Sequence, residues 1–429
     1  MKQVQYRIAV RQQGAATLVV VMVLFLVMAL LAAYANRGLL FEQRIASSYA
    51  RAGLSQEVAE GGIEWTLAQL NGPAIDDACK PQAVGGQRFV DKYLRVNPGD
   101  RSITPTATAI IKFVTDCTRD LPSEGWICRC PAADKRTVPV AAGGSQITPS
   151  FGVKMSSGSR GGTVLLDVIG CTDSVADTCG GKAGDISRGQ QAKSDLFPVV
   201  IALVSAVRTP PAAPLIVKGD LSMTGTGLGL HNTDPRSAGS LLAIGGAWSG
   251  LNQDRMQSVP GTATTQVLIQ GDQTLSAAAS GDLVFKMFMG ATPSRYKTHP
   301  SLRTVTCNGD CAGTLQEAYA AGKRILWVDG PLTIRSNKTI GSVSDPVLII
   351  ATDVTLENAF QINGMLVARG DLAWTNAAGV SLINGAVLVT GNMHTTGSMD
   401  IAYQQAVADQ LRNRMGSYVR VPGGWVDKD

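Results

Sequence analysis

The sequence predicts an α+β chain. A long N-terminal transmembrane and amphipathic helix leads into an antiparallel β head, and a β-solenoid-like all-β C-terminal domain follows. Three observations predict this. Ala15 to Tyr34 is an apolar run without charge, proline or glycine. Two strong apolar strand patterns, Thr163 to Ile169 and Phe197 to Val207, follow at mid-chain. Beyond residue 209, short apolar segments ending in Gly-Asp or Gly-Asn recur about every 20 residues, the mark of a repeat architecture. The expected divisions are a basic segment 1–14, the helix 15–72, the head 73–208 and the solenoid-like domain 209–429.

The apolar run comes first. At about 1.5 Å rise per residue, some 20 residues span the roughly 30 Å of a bilayer's hydrocarbon core. A helix satisfies its own backbone there. Leu18, Val19, Leu24, Phe25, Leu30 and Leu31 are its bulky anchor residues. Lys2, Arg7 and Arg11 precede the run with no acid among them, so the C-terminal bulk is expected outside the cytoplasm. The small residues Gly14, Ala15 and Ala16 lie before the apolar core, not after it as in a secretory signal. A cut after Gly14 removes the basic leader and keeps the helix; the alternative is an uncleaved anchor. The helix is expected to continue, because Leu40, Ile45, Tyr49, Ala52, Ala59, Ile63, Leu67 and Leu70 recur near helical spacing. Asn71-Gly72-Pro73 stops it.

The head begins with polar loops. Ala109 to Val114 and Gly125 to Arg129 are strand candidates. The strand over Phe197 to Val207 barely alternates, which predicts burial on both faces. Eight cysteines, 79, 117, 128, 130, 171, 179, 307 and 311, all lie beyond the anchor. An even count outside the cytoplasm makes disulfides the expectation. Cys307 with Cys311 and Cys171 with Cys179 read as local loops. Cys79, Cys117, Cys128 and Cys130 make the other bridges, with Cys128 and Cys130 each taking a distant partner. Thr209 to Pro214 reads as a stiff linker.

The repeat follows. Ile362 to Leu372 matches Ile383 to Met393 at an offset of 21 throughout. Leu348 to Val354 aligns on Leu366 to Leu372 at an offset of 18, and Ile325 to Leu332 precedes it by a similar step. Leu215 to Leu221 and Asp282 to Phe285 echo the pattern. Each coil buries its apolar strand on the next. Two helices, Gly313 to Gly322 and Tyr403 to Met415, decorate the array, and Ser417 to Trp425 ends the chain as a strand and a turn.

Composition excludes several functions. There are 38 basic and 33 acidic residues, and three of the basic ones precede the anchor, so the remainder is near neutral and nucleic acid is not an expected partner. No GxSxG, HExxH or Walker loop is present, and no enzyme is expected. No cofactor is expected, because Gly225 to Leu230 lacks the dinucleotide spacing. No metal is expected, since His231, His299 and His394 sit near no cysteine pair. Asp220, Asp282 and Asp371 occupy Gly-Asp-Leu turns, where turn chemistry explains them without catalysis. Asp173, Asp177 and Asp185 form an acidic loop without EF-hand spacing. His394 and Trp374 are the aromatic candidates for a ligand surface.

RQQGAATLVVVMVLFLVMALLA, the segment Glu42 to Ser47 and the stretch Ser55 to Glu64 resemble the PilX family of type IV pilus minor pilins. Val19 stands where most pilins carry glutamate, which is similar to PilX-type proteins and unlike major pilins. WVDGPLTI, the Ile-Asn-Gly repeats and RVPGGW resemble the C-terminal part of long PilX-type chains. The resemblance implies a prepilin leader cut between Gly14 and Ala15 by prepilin peptidase, N-methylation of Ala15, and a pilin-like head. It implies a single-pass inner-membrane protein with a periplasmic C-terminal domain, then a place at the pilus tip and cell surface. The implied partners are other minor pilins, a tip adhesin and the major pilin helix bundle; the implied roles are priming of assembly, adhesion and twitching motility. Two alternatives stand: a large minor pseudopilin of a type II secretion system, and an anchored solenoid that binds or cleaves glycans.

Overall fold

The computed structural model describes residues 15–82, 85–106, 115–120, 125–130, 149–172, 192–376, 379 and 381–423. The basic segment 1–14, the strand expected over Ala109 to Val114, Cys179 and the loop of Asp173, Asp177 and Asp185 lie outside these residues. The chain has a long apolar N-terminal helix followed by a large β-rich region.

The helix runs unbroken over Ala15–Leu70. Its last five turns bury Ser55, Val58, Ala59, Gly62, Ile63, Thr66 and Leu70, one stripe at helical spacing. That stripe lies under a six-stranded antiparallel sheet in the order Gly416–Arg420, Lys193–Ser205, Thr163–Cys171, Ser150–Ser157, Thr115–Asp120, Gly125–Arg129. Phe151, Val153, Met155, Val164, Leu166 and Val168 meet Val58, Ala59 and Ile63 in one core. Helix and sheet approach closely at Gly170, where any Cβ would fall on the Ser55 carbonyl and the Ala59 nitrogen. The strand Lys193–Ser205 corrects the sequence reading. Leu196, Val199, Ile201 and Leu203 are buried while Val204 is exposed, so it is a half-buried strand that alternates. The outermost strand, Gly416–Arg420, crosses back over the expected division at 208/209 to pair Gly416 with Ser205.

The rest is a stack of parallel strands in three rows. The first row runs Leu302–Val305, Ile325–Val328, Val347–Ala351, the second halves of Phe360–Ala368 and Ser381–Val389, then Leu215–Val217, Leu242–Ile244 and Leu268–Gln270. Phe360–Ala368 and Ser381–Val389 pair at an offset of 21 from end to end. The offset of 18 holds at Val354↔Leu372 but is 17 at Leu348↔Met365, because the later coil carries one more residue at its corner. Ile325 pairs Leu348, a longer step than the sequence suggested, because the strand Thr339–Ile340 and its turns enter that coil.

Stack order differs from chain order. Leu215–Val217 sits between Leu242–Ile244 and Ser381–Val389, so the chain enters the stack in its middle. It runs to one end at Leu268–Gln270, crosses outside, and re-enters at the opposite end with Leu302–Val305.

The crossing explains another correction. Asp282 to Phe285 is no strand: Gly281–Met289 is a helix closed by Gly290 in the left-handed conformation. It buries Val284, Phe285 and Met289 against the outward side of the first row, on Trp327, Ile350 and Val367. The first row is therefore covered on both faces, as its all-apolar segments require. The helix Ala312–Ala320 matches expectation; the C-terminal one is Gln405–Asp409 continued by a π-turn to Arg414. Thr209 to Pro214 is no free linker, since Ala206, Val207 and Ala213 around it are buried beneath these helices.

Candidate membrane anchor and assembly surface

The N-terminal helix divides into two parts. Among residues 16–50 every side chain described is exposed. Leu18, Val19, Leu24, Phe25, Leu30 and Leu31 are each more than half exposed, and the first 20 residues of the helix hold no charge. Exposed apolar surface on this scale in water is strongly unfavourable, so the segment requires lipid or other apolar helices around it. Tyr34 ends the apolar segment where an interfacial aromatic is favoured. Leu39, Phe41, Ile45 and Tyr49 extend exposed apolar surface beyond it. Of the residues expected at helical spacing, Ala59, Ile63 and Leu70 face the sheet and Ile45 and Tyr49 do not.

The helix end is clamped. Asn71 Nδ2 donates to the Tyr418 carbonyl and its Oδ1 accepts the Tyr418 N–H, each at 2.8 Å. Ser301 Oγ donates to Asn71 Oδ1 and Arg303 to the Asn71 carbonyl, both at 2.7 Å. His299 Nδ1 bonds the Ser417 hydroxyl, which also accepts the Ser301 N–H at 2.7 Å. Beside this lies an ion network: Arg88 with Asp91 at 2.6 Å, Arg324 with Asp345 at 2.7 Å, and Arg414 with Asp91 at 3.0 Å. Burial opposes ionisation of Asp345, but hydrogen bonds from Arg324 and the charges of Arg88, Arg324 and Arg414 hold its pKa below the ordinary value. The anchor helix, the sheet and the coil stack thus meet at one polar joint, so a load on the helix passes directly to both.

Three disulfides brace the described residues. Cys117 bonds Cys128 across the hairpin that pairs them in register, Cys79 bonds Cys130, and Cys307 bonds Cys311. The short Cys117–Cys128 span replaces the distant partner expected for Cys128.

The aspartates of the Gly-Asp turns have a structural task. Asp353 Oδ1 accepts the Asp371 N–H, Asp371 Oδ1 the Asn392 N–H, Asn392 Oδ1 the Asp220 N–H, and Asp220 Oδ1 the Ala247 N–H, at 3.0, 2.7, 2.9 and 2.8 Å. Each corner is tied to the next. Gly370, Gly391, Gly219 and Gly246 precede the donors because a Cβ there would strike the accepting oxygen. This accounts for the repeated Gly-Asp and Gly-Asn pairs. Asp282 stands apart, in the first turn of its helix. Trp374 is fully buried in the stack on Phe360, and exposed His394 bonds Ser222, so the two form no shared ligand surface. Among the described residues no three His, Cys, Asp or Glu side chains converge on a metal site.

Residues 13–64 match the family model described as PilX N-terminal. The match and the apolar helix support a type IV pilin-like protein. No curated protein and no solved structure matches the chain. The PilX match covers the anchor and most of the buried stripe, and stops short of the coil stack. The joint was invisible in the sequence: Asn71 read only as a helix stop, and Arg88, Asp345 and Tyr418 carried no motif.

Proposed function

We propose that this chain is a PilX-like minor pilin that primes type IV pilus assembly in a tip complex with other minor pilins and carries a tip adhesin. One observation carries the reading: an apolar helix, exposed at every described side chain over residues 16–50, runs without a break into a head that clamps its last turns. In the proposed cycle, prepilin peptidase cuts after Gly14 and Ala15 is N-methylated. The helix waits in the inner membrane with the C-terminal bulk in the periplasm. It then moves from lipid into the helix bundle of the filament, one apolar environment for another. The segment from Leu39 to Tyr49 supplies the contact surface between membrane and head. The coil stack makes the head too bulky to repeat at every step of a fibre, which favours few copies at the tip. Its role there is structural, and adhesion and twitching motility follow from it.

The test is intact mass and N-terminal sequencing of the protein from membranes with and without prepilin peptidase. A chain beginning at methylated Ala15 only when the peptidase is present supports the reading; a chain still beginning at Met1 overturns it. Recovery from sheared fibres in amounts equal to the main subunit would overturn the tip placement.

A further inference from the structure

A cleft of about 640 Å³ opens between the edge of the antiparallel sheet and the crossing helices. Arg101, Arg208 and Arg295 line it, and no carboxylate does. At the polar joint, by contrast, Arg88, Arg324 and Arg414 all have acidic partners. Arg208 and Arg295 are exposed, and among the described residues neither has an ion pair. The Arg208 stem packs on Gly290, which fixes where its head group emerges. Arg101 gives one nitrogen to the Leu203 carbonyl at 2.6 Å, while its Nε is buried with no partner among the described residues. Burial and the nearby charge of Arg412 lower its pKa, so an anion here relieves both effects. His299 also lines the cleft, its Nδ1 held by the Ser417 hydroxyl and its Nε2 buried.

We infer that this cleft is a docking site for a polypeptide segment that alternates acidic and apolar side chains. The two exposed guanidinium forks of Arg208 and Arg295, without counter-charge among the described residues, suit carboxylates, which such forks grip in bidentate fashion, and Arg101 adds positive charge behind them. The volume is in the range that holds several residues and exceeds what a single small oxyanion fills. The lining also offers apolar surface from Val204, Met289 and Pro300, beside the hydroxyls of Ser205, Thr298 and Ser417. An acidic saccharide would instead need an open aromatic platform. Tyr296, the aromatic of the cleft, is buried with its hydroxyl donated to the Ala206 carbonyl at 2.6 Å. The inference is independent of leader processing and filament entry.

The test uses the full chain in neutral detergent micelles. Fluorescence anisotropy follows a labelled synthetic peptide of alternating Glu and Leu, with the Gln/Leu peptide and dextran sulfate as comparisons. Saturable binding of the Glu/Leu peptide is expected, weakened about tenfold or more for Gln/Leu and by the double substitution Arg208→Glu, Arg295→Glu. Both arginines are exposed, so an unchanged melting temperature will show that the variant folds; Arg208→Gln, Arg295→Gln repeats the measurement without charge reversal. Equal binding of Gln/Leu, binding unchanged in both variants, or binding of dextran sulfate without the peptide would each overturn the inference.

Discussion

Asn71 holds Tyr418 by both of its backbone groups, donating to the carbonyl and accepting from the N–H at 2.8 Å. The contact joins the residue after the anchor helix to the chain's last strand, 347 positions away. The planar amide of asparagine sets a donor and an acceptor side by side at the reach this contact needs, whereas glutamine carries the same amide on a longer stem that misplaces it.

Asn71→Ala is therefore expected to leave a buried N–H and carbonyl of the Tyr418 backbone and the Ser301 hydroxyl without their partner. The cost is about 3 kcal/mol, read as a lowered denaturant midpoint with an unchanged slope. Asn71→Gln should recover little of it.

Gly170 allows the helix to lie on the sheet. Gly170→Val pushes into the Ser55 carbonyl and Ala59 and is expected to cost about 3 kcal/mol or more. Near-UV circular dichroism would show loosened packing around Trp65, which sits 6.1 Å from Phe151 in this core.

The corner ladder predicts a contrast between two conservative changes. Asp371→Asn keeps the accepting oxygen and should be nearly neutral. Asp371→Ala frees the Asn392 N–H and should cost about 1 kcal/mol, less than a buried bond because water reaches the corner. Thermal melts of the two variants under one buffer measure the difference.

His299 gives the joint a pH dependence. Burial pushes its pKa down from 6.5 to about 4. The unfolded chain thus binds this proton more readily than the folded one between those values. The stability is fully present above about pH 6.5, is lost as pH falls toward 4, and amounts to something on the order of 2–3 kcal/mol. Urea midpoints between pH 7.5 and 4 should fall along this course, and His299→Gln should flatten it. Asp345, whose pKa is depressed, adds its own loss only at lower pH, when it protonates and releases Arg324.

Much of this architecture was legible in the sequence where the signal is local. The uncharged run Ala15 to Tyr34 is the exposed apolar part of the first helix and fits a membrane anchor, and the offset of 21 between Ile362 and Ile383 is the register of two stacked strands. The failures share a cause. Asp282-Leu283-Val284-Phe285 looked like a coil because four residues cannot distinguish periods of 2 and 3.6. Strand Lys193–Ser205 looked doubly buried because its outward positions, Val200, Ala202 and Val204, are apolar yet only partly covered. The site was the least legible part. Tyr418, Asp345 and Arg88 converge through pairings hundreds of residues long, and no spacing rule connects them.

The order of the coils has a consequence for synthesis. A ribosome delivers Leu215–Val217 well before Ser381–Val389, the strand on which it seats, and the corner tie between Asp220 and Asn392 spans 172 positions. Loop closure on that scale comes after local structure. A chain that stops before residue 380 leaves two half-stacks with open edges, which proteases and aggregation find first. The strand Gly416–Arg420, made later still, then locks the joint. A copy truncated before Gly416 lacks both the outermost sheet strand and the tie to Asn71, and so cannot hold its helix and coil stack rigidly together.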